Sequence, residues 1–278
     1  MIVLGQFKCC PERRNKTVDL FAERAVEIAR EAGAFLKETF HTDHRIDFKG
    51  EINLVTEADR SSEEIITSRI KKLFPDHDIM GEEGTNITRG SEYRWIIDPL
   101  DGTTNYAHGF PVFCVSIALK RMSQVVMGVI YNPVLDELFV AERGEGAFLQ
   151  GKNIHVSHTR RLAEGFMATG FPYDVRENYR DVLAYFNEMI PTAQAIRRAG
   201  SAALDLAYLA AGRFDGFWEL RLKPWDTAAG WILVEEAGGV VTDLSGNPYF
   251  LESPSIVASN GVIHKELMEV LDQASSRI

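Results

Sequence analysis

Apolar side chains recur every three or four positions from residue 17 to 40, at Val18, Phe21, Ala25, Ile28, Ala32 and Phe35. That period predicts an amphipathic helix. Lys49-Gly50 reads as a turn, and the run from Asn53 to Asp59 leads into a second helical stretch through Ile65, Ile66, Ile70 and Leu73, which Pro75 stops. Ile79-Met80 precedes Gly81-Glu82-Glu83-Gly84, two acids between glycines, and Trp95-Ile96-Ile97 is an apolar run of strand length. Between residues 112 and 149 the period switches from helix to strand. Three β-rich runs, broken at Met122-Ser-Gln, Asn132-Pro133 and Gly144-Glu-Gly146, predict an antiparallel meander.

The second half alternates. Strands are predicted over 166–171 and 214–219, helices over 179–189, 201–211 and 226–237, the last stopped by Gly238-Gly239. Short strands at Val240-Val241 and Ile256-Val257-Ala258 precede a closing helix over 262–271. With no repeat, low-complexity tract or linker, the chain reads as one unit of two packed α/β halves, about 17–155 and 156–278, with residues 1–16 as an extension outside the fold.

Length and charge narrow the class. The 278 residues suffice for a full core, and the net charge of −10 argues against a general nucleic-acid or anionic-membrane surface. Cys9 and Cys10 are adjacent and Cys114 lies in an apolar run, so no disulfide framework is indicated and a reducing cytoplasm is expected. No apolar run reaches the roughly 18 residues of a membrane span, and the N-terminal stretch lacks the basic leader of a secretory signal.

The candidate chemistry lies in Trp95-Ile-Ile-Asp-Pro-Leu-Asp-Gly-Thr-Thr-Asn105. A strand delivers Asp98, and a proline-pinned turn delivers Asp101 three residues later. Two ionised carboxylates cannot be buried unpaired without a cost of several kcal/mol. A hard divalent cation such as Mg2+ is the natural partner, since it takes carboxylate oxygens and leaves room for a phosphate. Gly102-Thr103-Thr104 would open a helix whose N–H groups bind an anion. An Asx-type turn capping that helix is the plainer alternative. Three further acids stand at junctions between elements: Asp59, Glu82 with Glu83, and Asp226 after Trp225. Each alone reads as a helix cap or a solvated loop. Together they suit two-metal phosphoryl chemistry, in which one carboxylate bridges two ions and others hold each separately.

These segments resemble the inositol monophosphatase family, within the lithium-sensitive, magnesium-dependent phosphatases. The match rests on Leu54-Val-Thr-Glu-Ala-Asp59, Gly81-Glu-Glu83, Trp95 to Tyr106, and Trp225-Asp-Thr-Ala-Ala-Gly230 with Glu235-Glu-Ala-Gly-Gly239, in family order.

 The resemblance implies a layered α-β-α-β-α sandwich (α+β / α/β) of the inositol monophosphatase and fructose-1,6-bisphosphatase type. It implies that Glu82, Asp98 and the carbonyl of Leu100 hold a first Mg2+. Asp98 would bridge to a second ion, held also by Asp101 and Asp226, and a weaker third would sit near Glu82. Thr103, hydrogen-bonded to Asp59, would with Glu82 position the attacking water, and the phosphate would rest on the N–H groups of Gly102 and Thr103. Substrate hydroxyls would meet Arg197 or Arg198, Gly200, Ser201, Ala202 and Glu219, with Asp101 and Asp226 close by.

Asn53 stands where relatives often carry Asp, which bears on the third ion and on lithium sensitivity. His41/His44 and His155/His158 lack the cysteines or carboxylates that would make them metal pairs. The expected activity is Mg2+-dependent hydrolysis of a small polyol phosphate, foremost inositol monophosphate, by a metal-activated water and without a phosphoenzyme. Fructose 1,6-bisphosphatase, histidinol-phosphatase and nucleotide 3′-phosphatase activities remain open, as does a regulatory binding role with little catalysis. A homodimer is expected, with the 112–149 strands and the 201–211 helix as covered surface, and neither nucleic acid nor membrane as partner.

Overall fold

The helical period at the start of the chain builds α1 (Lys16–Thr39), and the hairpin β1 (Ile46–Phe48) and β2 (Leu54–Thr56) leads into α2 (Glu57–Leu73). This computed structural model describes residues 16–40, 46–48 and 54–275. Residues 1–15, His41, His44, Lys49-Gly50 and Asn53 lie outside them, and with them Cys9 and Cys10.

After α2 the chain forms β3 (Asp78–Gly81), β4 (Asn86–Ile87), β5 (Tyr93–Asp101) and the one-turn helix α3 (Thr103–Ala107). The meander follows as β6 (Cys114–Arg121), β7 (Gln124–Asn132), β8 (Glu137–Glu142), β9 (Gly146–Leu149) and β10 (Lys152–Ile154). The three runs expected over 112–149 are four strands, β6 to β9, because each of the three turn signals separates a pair, and β10 adds a fifth beyond them. These strands make an eight-stranded sheet in the order β10-β9-β8-β7-β6-β5-β3-β4.

The second half adds β11 (Phe166–Thr169), α4 (Tyr179–Met189), β12 (Ala195–Arg197), α5 (Ala202–Ala210), β13 (Gly216–Leu220), α6 (Pro224–Glu236), β14 (Val240–Thr242), β15 (Ser255–Ser259) and α7 (His264–Ser275). Its five strands pair in the order β12-β11-β13-β15-β14. Gly238, at φ 87, ends α6 in the left-handed conformation that a glycine adopts without a Cβ clash.

Three apolar clusters glue the layers. Helices α1 and α2 pack Leu36, Ile66 and Ile70 on one face of the larger sheet against Trp95 and Ile97. Helices α5 and α6 fill the space between the sheets with Leu206, Leu209, Ile232 and Leu233. On the far face of the smaller sheet, α4 and α7 cover Met167, Trp218 and Val257 with Met189, Leu267 and Leu271. The result is the α-β-α-β-α order of layers, with seven α-helices among the described residues. This corrects the surface expected for a second subunit. Helix α5 is apolar almost all round and therefore buried, and β6 and β7 run through the middle of the sheet.

Candidate active site

The site starts from an irregularity in β5. Asp98 pairs with Ser116 of β6, but Asp101 pairs with Cys114, so three steps on one strand face two on the other. Side chains alternate along a strand, and residues three apart would point to opposite faces. The extra residue, within the Pro99-Leu100 step, brings Asp98 and Asp101 round to one side, and Pro99 has no N–H to lose from the ladder. Ser62 of α2 donates its hydroxyl to the Pro99 carbonyl at 2.8 Å, and the Leu100 N–H donates to Asp98 Oδ1 at 3.0 Å. An Asx turn is thus present, but it does not cap α3, whose N-cap Gly102 has no side-chain cap.

Gly102 makes the next step possible. Its φ is 101°, and a Cβ there would stand 2.7 Å from the Val112 carbonyl oxygen. Thr103 then begins α3 and donates Oγ1 to Asp59 Oδ1 at 2.8 Å, with the Leu100 carbonyl as a second acceptor at 3.1 Å. Asp59 is fully buried in α2. Because α3 is a single turn, its N-terminal attraction for an anion rests on individual N–H groups and owes little to a macrodipole.

Asp101 Oδ2 accepts from Ser201 Oγ and from the Ala203 N–H, both at 2.7 Å, which ties the bulge to the start of α5. Asn105 Nδ2 reinforces that tie by donating to the carbonyls of Val112 (2.7 Å) and Ala199 (2.9 Å). Asp226 stands in the first turn of α6, after Pro224, and accepts the Lys223 N–H at 2.6 Å. It caps the helix and also faces the other acids. Glu82 follows β3, and its turn is shaped by Glu63, whose carboxylate accepts the N–H groups of Glu83 (2.7 Å) and Thr85 (2.9 Å).

The acids press on one another. Burial pushes the Asp98 carboxyl well above its ordinary range, and the charges of Glu82, Asp101 and Asp226 push the same way. Asp101 is pushed up to about 6 by burial, against the hydrogen bonds from Ser201 and the backbone of α5. Asp226 is raised by burial and then by Asp101. Such a set of hard oxygen donors suits a cation such as Mg2+. Among the described residues, no three His, Cys, Asp or Glu side chains converge as a ready-made ion cage. Asp101 and Asp226 accept hydrogen bonds from protein donors, and a carboxylate has lone pairs for both a donor and an ion.

One cavity gathers most of the remaining residues singled out from the sequence. Asp101, Gly102, Thr103, Gly200, Ser201, Ala202, Glu219 and Asp226 all line it. Glu82, Asp98, Leu100 and Asp59 are not among its lining residues. Glu219 is 5% exposed on β13 and lies against Gly170, where a Cβ would stand 2.1 Å from its carboxylate. Burial raises the Glu219 carboxyl, Asp205 adds to the rise, and Arg198 opposes it.

Arg197 is corrected. It ends β12, lies over the Phe166 ring at 4.8 Å and donates to the Ile196 carbonyl, whereas Arg198 lines the cavity. Adjacent residues at a strand end face opposite ways, so a one-residue choice decides between them. Sequence reasoning missed Glu63, Asn105, Asp205 and Arg221. Glu63 and Asp205 carried a signal, each being an acid on a buried helix face.

With this geometry in hand, the likeness to known proteins is specific. The Inositol monophosphatase family pattern matches residues 18–276. An inositol-1-monophosphatase of Mesorhizobium japonicum is 42% identical, over 90% of this chain and 96% of its own. The Nus factor SuhB of Pseudomonas aeruginosa is 44% identical, over 89% and 94%. The solved inositol monophosphatase of an Anabaena (Nostoc) species superposes with a TM-score of 0.83 at 43% identity, covering 92% of this chain and 97% of that one. Sequence, layers and topology agree: the chain belongs to the inositol monophosphatase family, and it is a phosphoric monoester hydrolase.

Proposed function

We propose that this protein is a Mg2+-dependent phosphomonoesterase that hydrolyses a small polyol phosphate, foremost inositol monophosphate, by direct attack of water. The observation that carries the reading is the Thr103–Asp59 hydrogen bond of 2.8 Å beside the Asp98/Asp101 bulge. Thr103 Oγ1 has its proton committed to Asp59 and keeps lone pairs for the proton of an attacking water. Asp59, buried in α2, receives the proton that Thr103 passes on. The N–H groups of Gly102 and Thr103 orient the phosphoryl oxygens, and Glu219 accepts a hydroxyl proton of the leaving polyol.

Glu82, Asp98, the Leu100 carbonyl, Asp101 and Asp226 would hold two or three ions. Mg2+, when bound, supplies Lewis-acid polarisation of the phosphate and lowers the pKa of water. Phosphate release from inositol 1-phosphate, with and without Mg2+, tests the reading. Fructose 1,6-bisphosphate, histidinol phosphate and adenosine 3′,5′-bisphosphate in the same assay separate it from the other activities of this fold.

Three further properties belong to the same proposal. The enzyme is inhibited by lithium, as a small monovalent cation competes for a Mg2+ position. It is a homodimer that does not need residues 1–16, which sedimentation of full-length and truncated protein tests. It works in the cytoplasm: buried Cys114 is a free thiol, and among the described residues no helix is long and apolar enough to cross a membrane.

A second reading is favoured by one observation, the 44% identity to a relative named a Nus factor. On that reading the chain also acts as a binding protein, independently of turnover. An Asp98→Asn protein that loses phosphatase activity but keeps such binding would separate the two roles.

A further inference from the structure

Arg221 stands apart from the other residues in its backbone class. Four non-glycine residues have positive φ among the described residues: Met122, Asp136, Gln150 and Arg221. The first three close β-hairpin connections, between β6 and β7, β7 and β8, and β9 and β10, where left-handed residues suit the strand twist. Arg221, at φ 59, lies between β13 and α6. An arginine pays steric strain in that conformation, and such strain marks positions held for a purpose.

The side chain supplies the purpose. Nε donates to Asp174 Oδ1 at 2.9 Å and Nη1 to Asp181 Oδ2 at 2.6 Å, while Nη2 is buried with no hydrogen-bond partner. A shielded, unpartnered guanidinium nitrogen is rare, because its desolvation is uncompensated. Arg221 lines the same cavity as Asp101, Thr103 and Glu219. Asp181 ties it to the first turn of α4, and Asp174 ties it to the segment after β11, whose Phe171, Pro172 and Tyr173 form another part of the cavity wall.

We propose that Arg221, whose side chain is 31% exposed, is a specificity-determining residue whose guanidinium donates from the cavity wall to a hydroxyl or ring oxygen of the polyol part of the substrate, with Asp174 and Asp181 holding it in place. Charge decides the class of acceptor. One guanidinium with two carboxylates is a net −1 cluster, and even with Asp101 and Asp226 given to Mg2+ the remaining cavity acids, Asp205 and Glu219, outnumber Arg198. A second phosphate on the substrate would be repelled there, whereas a neutral oxygen takes the donor without a charge penalty. Arg221 therefore favours monophosphate esters of polyols over bisphosphates. The inference rests on the phosphomonoesterase reading given above.

The experiment compares wild type, Arg221→Gln and Asp181→Asn on inositol 1-phosphate, phenyl phosphate and fructose 1,6-bisphosphate, with melting curves for each protein. Arg221→Lys serves in the same role where Arg221→Gln does not fold. Arg221→Gln is expected to raise KM for inositol 1-phosphate about tenfold with kcat nearly unchanged, and to leave phenyl phosphate unaffected. Asp181→Asn, which removes only a brace, is expected to move KM less. Equal effects of both variants on inositol 1-phosphate and phenyl phosphate would reduce Arg221 to a structural clasp and overturn the proposal. A loss confined to the bisphosphate would assign the guanidinium to a second phosphate and also overturn it. Calorimetric titration with free inositol reads Arg221 without turnover. Should wild type hydrolyse none of the esters, the phosphatase reading fails, and Arg221 stands or falls on weaker inositol binding by Arg221→Gln.

Discussion

Thr103 of α3 donates its hydroxyl to Asp59 of α2 across 44 positions of sequence, at 2.8 Å. The bond joins the carboxylate-bearing bulge to a buried acid that faces no solvent. Thr103→Val keeps the shape and removes the relay, so kcat is expected to fall roughly 100- to 10,000-fold with little change in KM. Thr103→Ser should retain most activity. Steady-state kinetics on inositol 1-phosphate check both, and an active Thr103→Val enzyme would remove Thr103 from the proton path.

Glu219 is expected to act on hydroxyl recognition. Glu219→Gln removes a charged acceptor worth about 1.5–3 kcal/mol, enough to raise KM for a polyol phosphate tenfold or more. Activity on phenyl phosphate should hardly change. Equal loss of turnover on both esters would place Glu219 with the catalytic acids.

The pH dependence of stability without divalent cations has a definite sign. Asp101 has its pKa raised to about 6 in the fold from 3.8, and Asp98 and Asp226 move in the same direction. A raised acid binds its proton more tightly in the folded state, so its contribution is fully present below pH 3.8 and is lost as pH rises through about 6. For Asp101 the loss is up to about 3 kcal/mol. Melting temperature in chelator should therefore fall more steeply between pH 4 and 6 for wild type than for Asp101→Asn. Parallel curves would contradict the assignment.

Gly102→Ala is expected to cost about 1–3 kcal/mol of stability and to abolish turnover, since φ 101° strains any L side chain and its Cβ would strike the Val112 carbonyl. Thermal melts check the first effect and phosphate release the second. An unchanged melting temperature would mean that the turn relaxes freely.

The long periodic elements were legible in the sequence because burial of one face imposes a repeat. Helix α4 spans Tyr179–Met189, the range that its spacing predicts. Strands β4 and β12 were not legible, since two or three residues are too few to show a period. The acids of the site could be read from their junction positions, but not which way a neighbour turns, so the sequence leaves Arg197 and Arg198 as alternatives and the cavity takes Arg198. Arg221 was silent for a different reason. A left-handed turn is announced by Gly or Asn, and an arginine announces nothing. The buried character of α5 was open to view in Ala-Ala-Leu-Asp-Leu-Ala-Tyr-Leu-Ala, which has no polar face to offer solvent.

On the proposed reading, buried carboxylates led by Asp98 recruit Mg2+ for ester hydrolysis, which is tested by phosphate release from inositol 1-phosphate by wild type and Asp98→Asn across a Mg2+ titration, with circular dichroism to confirm folding. Wild-type turnover is expected to be negligible in chelator and to rise with Mg2+, while folded Asp98→Asn stays inactive at Mg2+ levels that saturate wild type. Turnover in wild type that ignores Mg2+, or near-wild-type activity in Asp98→Asn, would contradict it.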